Sequence, residues 1–338
     1  TVIAEHGYNE LEQSTFIAGF LLLLAGQLRA GNLISYIPES VVNGFTIGIA
    51  IIIATSQLKD IFGLNIESVP ADFLEKLPVL WQARETFNST EFLIGIAALI
   101  LIVLFRRLAP RFPGLIVAVG MCSCAVWALS LPVDTLGSRF GSLPQTLPLP
   151  SLPEISWDRI VELIPAALII AFLAGVESLL SAMVADRMIA GNHRPNAELT
   201  AQGAANIGSA LFGGLPATGA IARTATNVRA GGKTPVAGII HAFTILLLMM
   251  LAAPLAGYLA MPALAAILLI TAWNMSEPHK WSEYVSGRRS DLMLLLTTML
   301  LTVVVDLTVA IGVGVVIGLA LRLSRRKSIE SDWTPPER

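Results

Sequence analysis

A single acidic residue stands inside a long apolar stretch of this 338-residue sequence. Glu177 is the one carboxylate between residues 167 and 185. Ser178 and Ser181 follow it within about one helical turn, and Ser181 lies on the same face at i+4. A carboxyl group among apolar residues favours its neutral form, so Glu177 is a candidate proton carrier. The alternatives are a structural ion pair with Arg223 or a cap on a neighbouring helix.

A second candidate for chemistry is the small-residue segment 213–229. Gly213, Gly214 and Pro216 interrupt any preceding helix, and a new half-helix is predicted from about Ala217 to Val228. Such a helix would begin near the middle of a membrane. Its first backbone N–H groups lack intrahelical acceptors, and its dipole places partial positive charge there. An anion is the natural ligand for this helix end.

Arg223 lies within the same segment. A cation inside a membrane costs at least about 2.5–3.5 kcal/mol on insertion scales and usually faces a cavity or a partner. The alternative is that glycine and alanine here only permit close helix packing, with Arg223 extended towards the interface or paired structurally. The break at Pro216 combined with an intramembrane arginine favours the anion site.

These residues must be positioned by membrane helices. The chain is 54% apolar and 14% charged, with a mean hydropathy of +0.72, which predicts an all-α polytopic membrane protein. A net charge of −2 gives no reason to expect nucleic-acid binding.

Cys122 and Cys124 point to different sides of a helix, so neither a disulfide nor a metal site is indicated. No Walker loop, catalytic dyad or Ser/His/Asp arrangement is present, so we expect no enzyme and no cofactor.

Apolar windows predict about eleven membrane elements, including the broken segment, and several are too short for an upright span. The unbroken candidates are 15–29, 41–58, 92–105, 113–131, 161–185, 198–213, 234–255, 258–273, 290–305 and 308–322. Lys and Arg concentrate in alternate connections, which places the C-terminus in the cytoplasm and the connections 60–91 and 132–160 outside.

The Pro- and Gly-rich connection separates four elements from seven. The last four elements of the second group have the opposite orientation, pair for pair, to the four of the first group. This pattern is typical of an inverted repeat. It predicts a first-repeat remainder at 1–131, a connection at 132–160, a second repeat at 161–323 and a cytoplasmic tail at 324–338.

Several motifs together resemble those of the sulfate permease (SulP) anion transporter family, over nearly the whole chain. They are residues 37–50, 56–64, 175–182, 216–227 and 230–235. The stretches 221–229 and 272–277 look most like the bacterial branch that includes C4-dicarboxylate carriers.

The resemblance implies a fourteen-element fold of two inverted seven-element repeats, divided into a core domain and a gate domain. In that fold two half-helices, elements three and ten, face each other across the anion site, and element eight contributes a carboxylate. By position Glu177 matches the carboxylate. The amides of Ala220, Ile221 and Ala222 are the implied anion contacts, and Arg223 supplies positive potential.

The implied substrate-binding set is completed by Ser178, Ser181, Thr218 and Gly219. Sodium-coupled relatives carry a hydroxyl residue where this chain has Ile221, which favours proton coupling through Glu177 over a sodium site. Elements one to three and the cytoplasmic STAS domain of most relatives are not found in the sequence, so an incomplete carrier is expected.

The sequence therefore predicts a bacterial inner-membrane, proton-coupled secondary carrier working by alternating access. Its substrate would be a small anion, either a dicarboxylate of the succinate, fumarate or aspartate type, or sulfate or bicarbonate. An anion channel or voltage-responsive motor on the same fold, and a non-transporting scaffold, remain alternatives. The lipid bilayer is the expected surrounding, and a homodimer is left open.

Overall fold

The computed structural model describes residues 8–318 except 37, 67–68, 71, 110–111, 143, 154–156, 306–308, 311 and 315. The predicted tail at 324–338 lies outside the described residues, as does most of the predicted element 308–322.

The described residues form α-helices and short 3₁₀ turns, with one isolated antiparallel bridge between Thr135 and Ala260. The helices are α1 Tyr8–Gln27, α2 Glu39–Phe62, α3 Phe73–Gln82, α4 Ser89–Leu108, α5 Gly114–Ala128, α6 Leu136–Phe140, α7 Trp157–Ile189, α8 Pro195–Leu211, α9 Ile221–Arg229, α10 Val236–Ala256, α11 Met261–Met275, α12 Trp281–Ser286 and α13 Arg289–Val304. The 3₁₀ helices are Ala30–Tyr36, Ala83–Thr86 and Pro278–Lys280. The prediction of an all-helical protein is confirmed for this part of the chain.

Three helices are long and apolar enough to cross a membrane within the described residues: α2, the segment Arg159–Asp186 of α7, and α10. The segment Phe73–Thr86 and helix α4 meet the same criterion together, although the chain bends by 114° between them. Helix α5 is apolar but shorter. The predicted mixture of full and partial spans agrees with these lengths.

The sequence analysis did not predict three short helices, α3, α6 and α12, because they lie in connections between the apolar windows. Helix α3 begins after Asp72, whose carboxylate accepts from Leu74 N at 3.1 Å. Helix α6 begins with a capping box in which Thr135 and Ser138 bond each other's backbone N–H. Both helix starts could have been predicted from these residues, since Asp and Thr are favoured at the N-cap position. Helix α12 has no side-chain cap, so no N-cap residue indicates where it begins.

The chain divides into two compact units. Unit 1 contains the described residues of Thr1–Val42, Leu147–Ile240 and Ile311–Arg338, and unit 2 those of Asn43–Thr146 and His241–Ala310. The predicted division by repeats, at 131, 160 and 323, follows sequence order and stays a prediction.

Unit 1 is built on the contact of α1, α7 and α8. Its buried core includes Ala18, Leu22, Ala167 and Leu180. Helices α1 and α8 approach backbone to backbone: a Cβ added to Gly203 would lie 2.7 Å from Gly19 O. Only glycine permits this distance, so the two helices are fixed closely side by side.

Unit 2 has a separate core formed by α4, α5 and α11. The chain after α5 is tied to α11, because Met261 N donates to Asp134 O at 2.9 Å. Arg139 forms ion pairs with Asp60 and, at 2.9 Å, with Asp134. Burial alone would lower the pKa of Arg139, but the hydrogen bonds and charges of the two carboxylates outweigh it and raise the pKa above its ordinary value. The cation therefore stays charged and links α2 to α6.

Candidate functional site

The predicted break after α8 is present. Helix α8 ends at Leu211, Gly213 adopts a positive φ of 64°, and α9 begins at Ile221. The residues between are not helical. The predicted start of the half-helix at Ala217 is therefore wrong by four residues, since Pro216 does not open the helix.

Two side chains of α8 explain the later start, because they bind the backbone of Ala217. Asn206 Nδ2 donates to Ala217 O at 2.9 Å, and Ala217 N donates to Asn206 Oδ1 at 2.9 Å. Gln202 Nε2 also donates to Ala217 O. With its N–H and C=O engaged by side chains, Ala217 is held outside a helix. We call Gln202 and Asn206 the amide clamp.

Ser178 of α7 extends this network. Its hydroxyl donates to Gln202 Oε1 at 2.8 Å and accepts from Gly219 N at 2.9 Å. A Cβ on Gly219 would lie 3.0 Å from Ser178 Cα, so the segment passes against the helix surface where only glycine fits easily. Ser178 is buried and already has both a donor and an acceptor partner.

The same segment runs past Glu177. Thr218 Oγ1 donates to Ala174 O at 3.2 Å, one turn before Ser178 on α7. Glu177 is half-buried, and Thr218 is the one side chain that acts on its carboxyl group by hydrogen bonding among the described residues. Contacts at Ala174 and Ser178 therefore bracket Glu177 and bring it beside the unwound segment.

Helix α9 packs on α7 through one face. Thr224 Oγ1 and Ser181 Oγ share a hydrogen bond of 2.6 Å, and Ile221 packs against the core of unit 1. Ser181, like Ser178, is buried. Both serines that were predicted to bind substrate thus hold α9 and the segment before it against α7.

The start of α9 has no side-chain cap. Its N-cap residue is Ala220, and the first helical bond runs from Thr224 N to Ala220 O at 2.9 Å. The N–H groups of Ile221, Ala222 and Arg223 precede that bond, so the helix supplies no acceptor for them. An anion held there would receive these hydrogen bonds and the positive end of the helix dipole.

Arg223 lies in the first turn of α9, but its side chain is exposed, whereas Ile221 and Thr224 are half-buried towards α7. Among the described residues, no ion pair joins Arg223 to Glu177. The structural ion pair considered from the sequence is therefore not formed in this part of the chain.

Sequence reasoning missed the amide clamp. Gln202 and Asn206 are spaced i, i+4, so they lie on one face of a helix, and two amides in a predicted membrane element are a signal of interior hydrogen bonding. In the structure Asp186 Oδ2 accepts from His193 N at 2.9 Å and lies 2.6 Å from His193 Nδ1, which closes the α7–α8 turn.

Comparison with known sequences decides the family. The model of the sulfate permease family matches residues 4–298. The chain belongs to the sulfate permease family. It is 38% identical over 299 residues to YvdB of Bacillus subtilis, whose name assigns it provisionally to sulfate transport, covering 88% of this chain and 56% of that protein. It is 29% identical over 252 residues to the bicarbonate transporter BicA of Synechocystis, covering 74% of this chain and 44% of that protein.

Solved structures agree on the fold. The transmembrane domain of a cyanobacterial bicarbonate transporter BicA superposes with a TM-score of 0.78 at 26% identity, covering 92% of this chain and 79% of that chain. The murine Solute Carrier 26 family member A9 anion transporter gives a TM-score of 0.80 at 17% identity, covering 97% and 54%. The fold is thus that of a helical membrane transporter. This sulfate permease family chain spans about half the length of the curated relatives it matches.

Proposed function

We propose that the protein is a secondary active anion transporter of the bacterial inner membrane, with its anion site at the uncapped start of α9 beside Glu177. One observation carries the proposal: the chain is unwound between α8 and α9 and is held along α7, so that a helix N-terminus without a side-chain cap begins next to a half-buried carboxyl group. The names of the relatives favour sulfate or bicarbonate as the substrate.

The predicted contacts then divide by role. The backbone N–H groups of Ala220, Ile221 and Ala222 bind the anion, and Arg223 adds positive potential at the same helix end. Ser178, Ser181 and Gly219 position the segment instead, because each already has a hydrogen-bond partner within unit 1.

Proton coupling is proposed at Glu177, with Thr218 responding to its protonation state. A hydroxyl group has one proton to donate. When Thr218 donates to Ala174 O, its hydroxyl has no proton left for Glu177, and its oxygen can only accept a hydrogen bond from a protonated carboxyl group. An ionised Glu177 would instead accept a hydrogen bond from the Thr218 hydroxyl group. Loading and losing the proton would then change how the segment before α9 is held.

The carboxylate is tested by reconstituting the protein in liposomes and measuring uptake of labelled sulfate, bicarbonate and succinate under an imposed pH gradient. We expect Glu177→Gln to abolish the acceleration of uptake by an inward proton gradient. Glu162→Gln is the matched control, since Glu162 lies on the same helix and is exposed. Unchanged proton dependence in Glu177→Gln would refute the assignment of Glu177.

Uptake across the panel of anions tests whether the protein is a carrier or a channel, and which anion it transports. Uptake of sulfate or bicarbonate that saturates and exchanges with internal anion supports a carrier, whereas conduction without saturation would mean a channel. Preferential uptake of succinate would favour the dicarboxylate branch. Absence of uptake and of exchange for every anion in the panel would refute the transport proposal itself.

A further inference from the structure

Helix α3 is set across the helix that follows it. The chain bends by 114° between Phe73–Thr86 and α4, so the two axes are nearer to perpendicular than to parallel. Asn88 lies at the bend: its Oδ1 accepts from Thr90 N at 3.0 Å to cap α4, and its N–H donates to Phe62 O of α2 at 3.1 Å. The sequence predicts a membrane element at 92–105, within α4, so α3 is expected to lie closer to the membrane plane than to the membrane normal.

One face of α3 is attached to the rest of unit 2. Lys76 and Leu80 are buried, and Lys76 Nζ donates to Ser56 Oγ of α2 at 2.9 Å. The ammonium group thus holds α3 in place on α2.

A second face of α3 is apolar and exposed. Leu74, Leu77 and Trp81 are 53%, 43% and 69% exposed, and their spacing of i, i+3 and i+7 places them in one stripe along the helix. The exposed polar residues Glu75 and Gln82 lie about 100° further round. The helix therefore has three faces: one against the protein, one apolar and one polar.

A cation stands at the end of the apolar stripe. The Arg84 guanidinium lies 4.8 Å above the Trp81 ring, and its Nη1 donates to Trp81 O at 2.9 Å. Tryptophan and arginine at this position are typical of the membrane–water interface, where an indole ring lies at headgroup level and a guanidinium binds phosphate.

The helix that follows α3 in the chain also exposes large apolar side chains. Helix α4, which starts seven residues after α3 ends, exposes large apolar side chains along its length, among them Leu93, Ile100 and Leu104. Apolar side chains exposed along a membrane helix are typical of a surface that faces lipid.

We propose that α3 is an interfacial helix bound to the phospholipid bilayer. Leu74, Leu77 and Trp81 enter the boundary between headgroups and acyl chains, Arg84 binds headgroup phosphate, and Glu75 and Gln82 face water. The distribution of basic residues in the sequence predicts that this contact is with the outer leaflet. The inference is independent of the transported anion and of the site beside Glu177.

Spin labels on two faces of α3 test the proposal in the full chain reconstituted in phosphatidylcholine–phosphatidylglycerol vesicles. Cys124, which is exposed, is first replaced by serine, while the buried Cys122 is kept. Labels are then placed at Leu77→Cys and, as the matched control on the same helix, at Glu75→Cys. We expect the label at 77 to collide mainly with oxygen, which partitions into lipid, and the label at 75 mainly with a water-soluble nickel chelate.

Two outcomes overturn the proposal. Mainly aqueous collisions at 77 would mean that the stripe faces water. Protection at 77 from both reagents, with dipolar broadening that disappears when labelled protein is diluted with unlabelled protein, would mean that a second copy covers the stripe. Trp81→Cys provides an independent position on the stripe if the label at 77 prevents folding.

Discussion

At Ser178 one hydroxyl group links three segments of unit 1: α7, the Gln202 side chain of α8, and the backbone of Gly219. Together with the amide clamp, it decides where α9 begins and hence which amides remain for a ligand. In the proposed site these residues position the segment before α9, and the anion is expected to bind the amides that they leave available. Ala220, the N-cap residue of α9, contributes in the opposite way. Its methyl side chain cannot accept a hydrogen bond, so the first N–H groups of α9 stay available for a ligand.

Substituting Ala220→Ser tests whether the bare helix end is the binding site. A serine N-cap accepts from the amide of N2 or N3 and stabilises a helix by about 1 kcal/mol relative to alanine. We expect higher thermal stability without ligand but weaker sulfate binding, because the hydroxyl would occupy the amide of Ala222 (N2) or Arg223 (N3), and the Ala222 amide is one of the proposed anion contacts.

The matched control is Arg288→Ser at the start of α13, which also lacks a side-chain cap. It should leave sulfate affinity unchanged. Equal affinity in Ala220→Ser and the unaltered protein would exclude the start of α9 as the anion site. The measurements are thermal unfolding in detergent and titration with sulfate.

The amide clamp makes a separate prediction at Asn206. Asn206→Ala removes both of its bonds to Ala217. The Ala217 carbonyl keeps the bond from Gln202, but the half-buried Ala217 N–H loses its acceptor, which costs about 1–3 kcal/mol. We expect lower thermal stability and a raised KM for the transported anion, with Asn192→Ala, an exposed asparagine in the α7–α8 turn, as the control. Lost stability with an unchanged KM would mean that the clamp serves folding alone.

Among the elements, α1 and α8 have the closest backbone approach that bears on the site. A Cβ on Gly203 would meet Gly19 O at 2.7 Å and Leu23 N at 2.8 Å, both backbone atoms that cannot move independently of their helix. Helix α8 carries Gln202 next to this contact. The position of α8 against α1 therefore sets the position of the clamp.

Gly203→Ala should consequently destabilise the protein, because overpacking of this kind typically costs about 1–3 kcal/mol. Gly208→Ala on the same helix is the control: nothing lies within 4 Å of its added Cβ, so better helix propensity should stabilise by about 0.5–1 kcal/mol. The measurement is the thermal unfolding temperature of the unaltered protein, Gly203→Ala and Gly208→Ala in the same detergent. Similar unfolding temperatures for both variants would contradict the close packing of α1 and α8.

For the whole molecule, the two compact units separate the candidate site from the second core. Glu177, the amide clamp and α9 belong to unit 1, whereas α4, α5 and α11 form the core of unit 2. A ligand that binds only the folded site stabilises the structure around it by mass action.

Hydrogen exchange should therefore respond to sulfate locally. We expect slower exchange of the backbone amides at 217–224 in the presence of sulfate and unchanged exchange within α4 and α5. Protection confined to unit 2, or none at saturating sulfate, would place the anion elsewhere. Chloride at equal ionic strength controls for general salt effects.

The sequence by itself determined the membrane class, the order of the main helices, the break between α8 and α9, and Glu177 as a carboxylate within a span. These follow from composition and from local rules: long apolar runs need a bilayer, and Gly213 with Pro216 interrupts a helix whatever its neighbours are.

The tertiary structure decided where α9 begins, which predicted residues position the site, and which residues hold them. The bonds of Ala217 to Asn206 and of Gly219 to Ser178 join residues 11 and 41 positions apart. No local pattern contains such contacts, since they form only once α7 and α8 are packed together. The start of the short helix α3 was predictable from local sequence, because Asp72 is a favoured N-cap residue. Its attachment to α2 through Lys76 and Ser56 depends on the tertiary structure.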